Sequence, residues 1–514
     1  MQRLTLISAV MTMVLAQPLQ AQTDAPDLSP EPAPAGTSEE AGRLRDAIAQ
    51  VTTQAAFENG LLRVQPAAAG YRVTFDPTDL LSDALGMELG FAPLSILVSA
   101  REDGDWNVFF DDPIEFSYSM EEDGVREEEF YRQDDNRMKG VWSPSLATFL
   151  IAEAVAGRAV SRSKYDFQEA STIVDETVTS METRPGAAGG ADIEFRQVSR
   201  GYSQSMAMEM PGSPGVPPVS LDFEAVAESI EADGAMSGVQ SKALLDLLAF
   251  AFANIDVLEN GTDAPLDEER SHELVERLRA AMPLWTLVDG GALARGMAVS
   301  SSYGNLSIEE AAQTIRMTGI TEEALVEMNV VLSGMSVSSP MIPQWSQSLL
   351  PNFVEIGLSM TGGDLARPME ITLDELDFSA EQPLSDAAQE RIAASFELDR
   401  IDVRLTPSRI RAQELDIAFS GDIPFHGNPR DASIAVDASG LDEAIATLQA
   451  DANADMNALS AVGMMQIAKG MARTRDDGRL EWLVDVGADG SVALNGNVIV
   501  QPTPPSGPQS LPVE

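Results

Sequence analysis

The chain has no cysteine, which excludes disulfides, thiol catalysis, thiolate metal sites and a lipid-modified cysteine. Its two histidines, His272 and His426, are too few for a multi-histidine zinc site. Lysine occurs four times in 514 residues, so no polybasic patch can be built from it. The fold must therefore be held by packing and hydrogen bonds alone.

Basic residues are scarce relative to acidic ones. The 33 Lys and Arg face 81 Asp and Glu, which gives a formal net charge of −48. Such a charge opposes binding to nucleic acid or to anionic lipid surfaces by electrostatics alone. We interpret it as a solvated acidic surface, with a cation-binding role as the alternative.

The first 21 residues have the three parts of a secretory signal. Arg3 supplies the positive charge, an apolar stretch runs from Leu4 to Ala16, and a small residue, Ala21, ends the segment. We predict cleavage after Ala21, with cleavage after Ala16 as the alternative, and export to a periplasm. The apolar stretch is shorter than the ~20 residues of a membrane span, and no later stretch reaches that length.

Composition divides the rest of the chain into regions. Residues 22–40 are rich in Pro, Ala, Asp and Glu and are predicted to be a disordered tether, and the Pro-rich tail 501–514 is predicted to be disordered as well. Between them we predict three folded regions. These are a β-rich N-terminal region with flanking helices (41–222), a helix-rich middle region (223–294) and a β-rich C-terminal region (295–500) with a long helix at about 441–472.

Periodicity supports these assignments. Apolar residues at helical spacing predict the following helices: 40–57, 145–159, 223–232, 239–252 and 266–282. Alternation of period two predicts strands elsewhere, as in Tyr71-Val73-Phe75.

Several predicted strands share an ending in which apolar residues lead into Ser or Thr and then Gly. They end at Gly319, Gly334, Gly362 and Gly421, and their spacing is too irregular for a strict repeat. We therefore predict an α+β fold with a long, mostly antiparallel sheet built from successive hairpins. One face of the sheet would be covered by several helices, and the molecule would be elongated.

One acidic segment partly matches a calcium-binding loop. Asp103, Asp105, Asn107 and Asp111 have the required spacing, but Val108 and Ile114 occupy the positions that need Gly and Glu. We take these four residues as weak metal candidates, and favour a hairpin turn around Asp103-Gly104 as the explanation of the segment.

Catalytic motifs are not recognisable. Ser161-Arg162-Ser163-Lys164 matches S-x-x-K, yet no lysine is followed by Thr-Gly, as the acyl-transfer mechanism requires. There is no G-x-S-x-G elbow, phosphate loop or dinucleotide fingerprint. We predict no catalytic residue and no cofactor.

Two C-terminal segments resemble a known family. Ser348-Leu349-Leu350-Pro351-Asn352-Phe353-Val354 and Asp477-Gly478-Arg479-Leu480 with Asp489 to Gly496 are similar to a secreted proteobacterial family of unknown function, number twenty-one twenty-five. The closing segment also resembles YdgA-like envelope proteins, which share a long-sheet character with AsmA-like proteins. The resemblance covers about residues 340–500 and implies an envelope protein with extended sheet that handles lipid or an outer-membrane client.

Three functions follow as hypotheses. The first is a non-enzymatic envelope protein that binds a hydrophobic ligand, such as lipid, or an envelope client through a sheet groove; its 23 methionines suit adaptable packing. The second is a carboxylate-based, cation-dependent periplasmic hydrolase. The third is a purely structural or interaction protein.

Overall fold

A computed structural model describes residues 28–52, 54–78, 82, 88–122, 125–187, 189–210, 219–254, 265–380, 382–397, 400–423, 432–451, 455–487 and 490–501. The predicted signal peptide and most of the Pro-rich tail lie outside these residues. The described chain forms two compact units. Unit 1 comprises residues up to 302 with 318–321 and 366–395, and unit 2 comprises 303–317, 322–365 and the chain from 396.

The predicted α+β class with a mostly antiparallel sheet is confirmed. Within the described residues, no helix combines the length and the apolarity needed to cross a membrane. The helices are, in chain order, α1 Ser38–Thr52, α2 Ala55–Glu58, α3 Ser241–Ala253, α4 Glu268–Ala281, α5 Ala366–Glu375, α6 Asp386–Ser395, α7 Leu441–Asp451 and α8 Met456–Met471, with one 3₁₀ helix, η1, Gln344–Leu349.

Unit 1 contains the first fifteen strands. They are β1 Leu62–Pro66, β2 Tyr71–Phe75, β3 Glu88–Phe91, β4 Leu94–Ala100, β5 Trp106–Phe110, β6 Ile114–Glu122, β7 Val125–Gln133, β8 Arg137–Ser143, β9 Thr148–Ala156, β10 Ala159–Tyr165, β11 Gln168–Val174, β12 Glu176–Pro185, β13 Ala191–Met210, β14 Val219–Val239 and β15 Leu287–Ser301.

The sheet of unit 1 is a meander of long strands that are interrupted near their middle. One half has the order β1-β2-β4-β5-β8-β9-β12-β13-β14-β15. The other half has the order β3-β6-β7-β10-β11-β13, and β13 pairs with β12 along its first part and with β11 along its second.

Helix α1 covers part of the first half. Its Ala41 and Leu44 pack on Tyr71, Val73 and Val98 of neighbouring strands. Thr37 caps the start of the helix, because its hydroxyl accepts a hydrogen bond from the Glu40 amide at 3.3 Å and donates one to the Glu40 carboxylate at 3.1 Å.

Residues 28–37, which lie within the predicted tether, contact the strands of unit 1 through hydrogen bonds and an ion pair. The Gly70 amide donates to the Pro34 carbonyl at 2.8 Å, and Lys139 forms an ion pair with Glu31 at 2.8 Å.

Two of the predicted helices are wrong. Residues 145–159 contain β9, which pairs with β8 and β12, and residues 223–232 lie inside β14, which pairs with β13 and β15. Their Ala, Glu and Leu favour helices, but strand neighbours on both sides override that weak preference. The predicted helices at 40–57, 239–252 and 266–282 are confirmed as α1, α3 and α4.

Unit 2 contains the remaining strands. They are β16 Gly304–Thr318, β17 Ala324–Ser333, β18 Ser336–Ser338, β19 Phe353–Gly363, β20 Asp402–Arg411, β21 Asp416–Ile423, β22 Ala432–Ser439, β23 Arg473–Thr474, β24 Leu480–Val486, β25 Val492–Leu494 and β26 Asn497–Val500. They pair in the order β16-β17-β19-β20-β21-β22-β24-β25-β26, always antiparallel.

The core of unit 2 lies between this sheet and its helices. The predicted long helix at 441–472 forms as two helices, α7 and α8. Leu441 and Leu448 of α7 and Val462 of α8 pack on Leu480 and Trp482 of β24. The Asp455 carboxylate caps α8 by accepting from the amide of Asn457 at 2.8 Å.

We expect Leu448→Ala to lower the free energy of unfolding by about 2–5 kcal/mol, because the side chain is fully buried and its removal leaves a cavity. Met464→Ala on α8 is the control; that side chain is 64% exposed, so the change should stay within about 0.5 kcal/mol. Urea unfolding of both variants measures the difference. Equal effects would contradict this location of the core.

Candidate functional site

Side chains of four strands in unit 2 form one apolar face. Because successive side chains of a strand point to opposite sides, every second residue of β17 and β19 shares a side. The members of this apolar face are Ile315, Met317, Val326, Met328, Val330, Leu332, Val354, Ile356, Leu358, Met360, Val403 and Leu405.

The register places these residues in rows across the strands. Met328 lies opposite Ile315 on one side and Leu358 on the other, and Leu358 lies opposite Leu405. From Val354 to Met360 the face extends for about 20 Å along β19, at ~3.4 Å per residue. That length exceeds the ~15 Å thickness of one lipid leaflet's hydrocarbon, so an acyl chain fits along it.

Part of the apolar face is accessible to solvent. Ile356 is 43% exposed and Met328 is 37% exposed, although both are large apolar side chains. Helices α7 and α8 pack on Trp482 of β24, which lies on the same side of the sheet, two strands beyond β21. Exposed contiguous apolar surface of this kind is typical of binding sites.

The opposite side of the same strands is charged. One row consists of Arg316, Glu327, Ser359, Arg404 and Asp422. Arg404 and Asp422 form an exposed ion pair at 3.1 Å. The sheet of unit 2 is therefore amphipathic, and the apolar face contains no titratable side chain that could act as an acid, base or nucleophile.

A bulge bends the sheet beneath the apolar face. The register shifts between Glu355 and Gly357 of β19 and between Leu405 and Ser408 of β20. The buried Ser408 hydroxyl accepts a hydrogen bond from the Gly357 amide at 3.1 Å and donates one to the Thr406 carbonyl at 2.9 Å. A β-carbon at Gly357 would lie 2.0 Å from the Thr406 hydroxyl, so no side chain fits there.

A cluster of ion pairs supports the charged side of the sheet. Asp416 accepts a hydrogen bond from Arg409 Nε at 2.7 Å and lies 3.4 Å from Arg479, which also pairs with Asp437. These partners, Arg409 first and Arg479 second, hold the pKa of Asp416 below its ordinary value.

Unit 1 has a shallow depression of about 440 Å³ where its strands are interrupted. Arg158, Asp175 and Glu228 contribute charged side chains to it, and Gly201 lies in the left-handed region with φ 64°. A β-carbon at Gly201 would meet the Asp175 carboxylate at 2.2 Å, so the carboxylate covers the glycine. Charged and open, the depression is a poorer ligand site than the apolar face.

The four metal candidates lie around the β4–β5 turn. Arg101 contacts both oxygens of Asp103 at 3.2 Å and the Asn107 side-chain oxygen at 3.0 Å. The Asp105 amide donates to Asp103 as well, while Asp111 follows the end of β5 and is exposed. Among the described residues, no three His, Asp or Glu side chains are arranged to hold a metal ion. The antiparallel pairing of β4 with β5 agrees with the hairpin turn that we favour for this segment, and calcium binding stays a prediction.

The S-x-x-K match lies inside strand β10. Ser161 and Lys164 are three residues apart in an extended strand, so their side chains point to opposite sides of the sheet. A serine and a lysine in this arrangement cannot share a proton, which the acyl-transfer mechanism requires.

The sequence reasoning did not single out the apolar face. Its signal is the uninterrupted alternation in Val326-Met328-Val330-Leu332 and in Val354-Ile356-Leu358-Met360. No protein family, curated protein or solved structure matches the chain.

We expect Gly357→Ala to lower the free energy of unfolding by about 1–3 kcal/mol, because the added methyl group overlaps the Thr406 hydroxyl. Gly463→Ala is the matched control. Its β-carbon meets open space on helix α8, where alanine is favoured over glycine by about 1 kcal/mol. Chemical denaturation should show opposite signs for the two variants, and two stabilising changes would contradict the bulge geometry.

The lowered pKa of Asp416 predicts an acid-sensitive contribution to stability. Its ionised form is favoured in the folded state, so the contribution is complete above the ordinary pKa of 3.8 and is lost as the pH falls through the lower, folded value. Asp416→Asn should cost about 1–2 kcal/mol at pH 7 and should reduce the loss of stability on acidification.

Asp422→Asn is the control on the same strand. Its ion pair with Arg404 is exposed on both sides, so the change should stay within about 0.5 kcal/mol at every pH. Unfolding free energies measured between pH 2 and pH 7, roughly the window of carboxylate titration, give the comparison. Identical pH profiles for the Asp416 variant and the unaltered chain would refute the assignment.

Proposed function

We propose that the protein is an exported, non-enzymatic envelope protein that binds the acyl chain of a lipid on the apolar face of unit 2. The observation that carries the proposal is the partial exposure of Met328 and Ile356 within a contiguous apolar face. The predicted secretory signal and the resemblance to envelope families support the location.

The chemistry of the face favours an acyl chain as ligand. An acyl chain offers no hydrogen-bonding groups, and the face offers none except Gln313 at its margin, opposite Val330. Methionine side chains such as Met328 and Met360 are flexible and polarisable, so they adapt to a mobile chain. Apolar contact of this kind contributes about 0.8 kcal/mol for each buried methylene.

The face also has features that fix the orientation of a ligand. Each of β17 and β19 presents apolar side chains at every second position, so a chain laid along β19 contacts Ile356, Leu358 and Met360 in turn. Val403 and Leu405 of β20 extend the contact sideways beyond the bulge. A hydrolase would need a polar reactive group here, and the face provides only apolar contact.

The direct experiment is titration with a phosphatidylcholine that carries a fluorescent acyl chain. We expect Met328→Asp and Ile356→Asp each to weaken binding at least about tenfold, which corresponds to ~1.4 kcal/mol, because a carboxylate would be desolvated by the ligand. Asn329→Asp adds the same charge to the opposite side of β17 and should bind as the unaltered chain does.

Two further measurements make the test decisive. Organic extraction of the purified protein followed by mass spectrometry should recover lipid, and repeated preparations without lipid would refute the proposal. Thermal melting of the two aspartate variants should change little, since both positions are partly exposed. A large drop in melting temperature in both aspartate variants would mean that the apolar face is packed core and not a ligand site.

A further inference from the structure

Helix α8 has a second apolar surface, separate from the sheet face. Its outer side carries Met456, Leu459, Met464, Ile467 and Met471, and these side chains are between 47% and 77% exposed. Five large apolar side chains on one helix form a contiguous patch, which is unusual for a protein surface that is otherwise highly charged.

The two sides of α8 are sharply divided. At 100° per residue, the five exposed side chains fall within an arc of about 140°. The opposite arc contains Ala458 and Val462, which are buried, and Met465, which packs against the core of unit 2. One side therefore anchors the helix, also through the hydrogen bond from Trp482 Nε1 to the Ala468 carbonyl at 2.8 Å, and the other side is a ridge open to solvent.

The segment that carries this ridge contains basic residues but no acidic ones. Residues 456–475 contain no Asp or Glu, although the chain has 81 acidic residues, and they contain Lys469, Arg473 and Arg475 near their end. Lys469 pairs with Asp442, and Arg473 donates to the Asn495 carbonyl at 2.8 Å. Arg475 is 47% exposed and 3.9 Å from Glu481.

This arrangement matches the layering of a phospholipid surface. The uncharged ridge corresponds to the acyl region, and the basic end corresponds to the phosphates, which attract arginine. Carboxylates would oppose insertion, and none lies between Met456 and Arg475; the nearest in sequence, Asp455, Asp476 and Asp477, lie at the two ends of the segment.

We infer that α8 docks unit 2 on a phospholipid bilayer by inserting its Met456–Met471 ridge among the headgroups and upper acyl chains. Interfacial helices of this kind insert by roughly 5–10 Å. The inference does not depend on the acyl-chain site, because the ridge and the apolar face of the sheet use different side chains.

The net charge gives the docking a characteristic salt dependence. With a charge of −48 the chain is repelled by an anionic bilayer at a distance, so attraction must come from apolar insertion at contact. Salt screens the repulsion, with a Debye length of about 10 Å at ~0.1 M. Binding to anionic vesicles should therefore strengthen with salt, whereas binding driven by basic patches weakens.

The test is co-flotation of the full chain with vesicles of phosphatidylcholine, alone and mixed with phosphatidylglycerol, at low and high salt. The unaltered protein should float with both, and the double variant Met464→Asp/Ile467→Asp should lose at least about tenfold in partition, or ~1.4 kcal/mol. The control Tyr165→Asp/Phe167→Asp adds the same charge at two side chains of unit 1 that are each 50% exposed. That control should float like the unaltered protein.

Three results would overturn the inference. They are no flotation of the unaltered chain, equal loss in the control variant, and a dimer that becomes a monomer in the α8 variant without any vesicle binding, which would make the ridge a contact between copies. Trp482 fluorescence and melting temperature should be the same in all variants, which would show that α8 still packs on the sheet, because Trp482 donates a hydrogen bond to α8. The acyl-chain titration tests the sheet face and the flotation experiment tests the α8 ridge, so a negative result in one experiment does not decide the other.

Discussion

Antiparallel register in unit 2 places every side chain of the apolar face. Met328 and Asn329 are neighbours in β17, yet one faces the apolar side and the other the charged side. A slip of one residue would exchange them and move the whole apolar set to the side of Arg404. The β16–β17 hairpin, the pairing of β17 with β19 and the bulge at Gly357 therefore determine whether the apolar face forms.

Packing has to hold this sheet without covalent help. The chain contains no cysteine, so helices α7 and α8 secure one end through Leu448, Val462 and Trp482. On the charged side, Arg409 and Arg479 share the carboxylate of Asp416. These contacts neutralise carboxylates in a protein whose carboxylates greatly outnumber its cations. Its stability at low pH therefore depends on particular ion pairs.

The two proposed surfaces, the apolar face of the sheet and the α8 ridge, are similar in composition. Both concentrate apolar side chains, several of them methionine, where the surrounding sequence is rich in carboxylates. Each is backed by a rigid layer: the sheet face by paired strands and the α8 ridge by the contact with Trp482. A protein that docks on a bilayer and holds an acyl chain would use the two for different steps, contact with the membrane and retention of the ligand.

The amino-acid sequence determined the α+β class, the helices α1, α3 and α4, and the exclusion of thiol chemistry, because these follow from composition and from local period. It also contained the alternation of the apolar face, in Val354 to Met360. Tertiary structure decided what local pattern could not. Residues 145–159 and 223–232 have helical spacing but became strands, since hydrogen bonds to two neighbouring strands outweigh propensity. Likewise, Met464 is exposed and Val462 is buried although both lie on the same apolar helix, because α7 and β24 cover only one side of α8. The positions of α7 and β24 depend on strand pairing between residues that are far apart in the sequence.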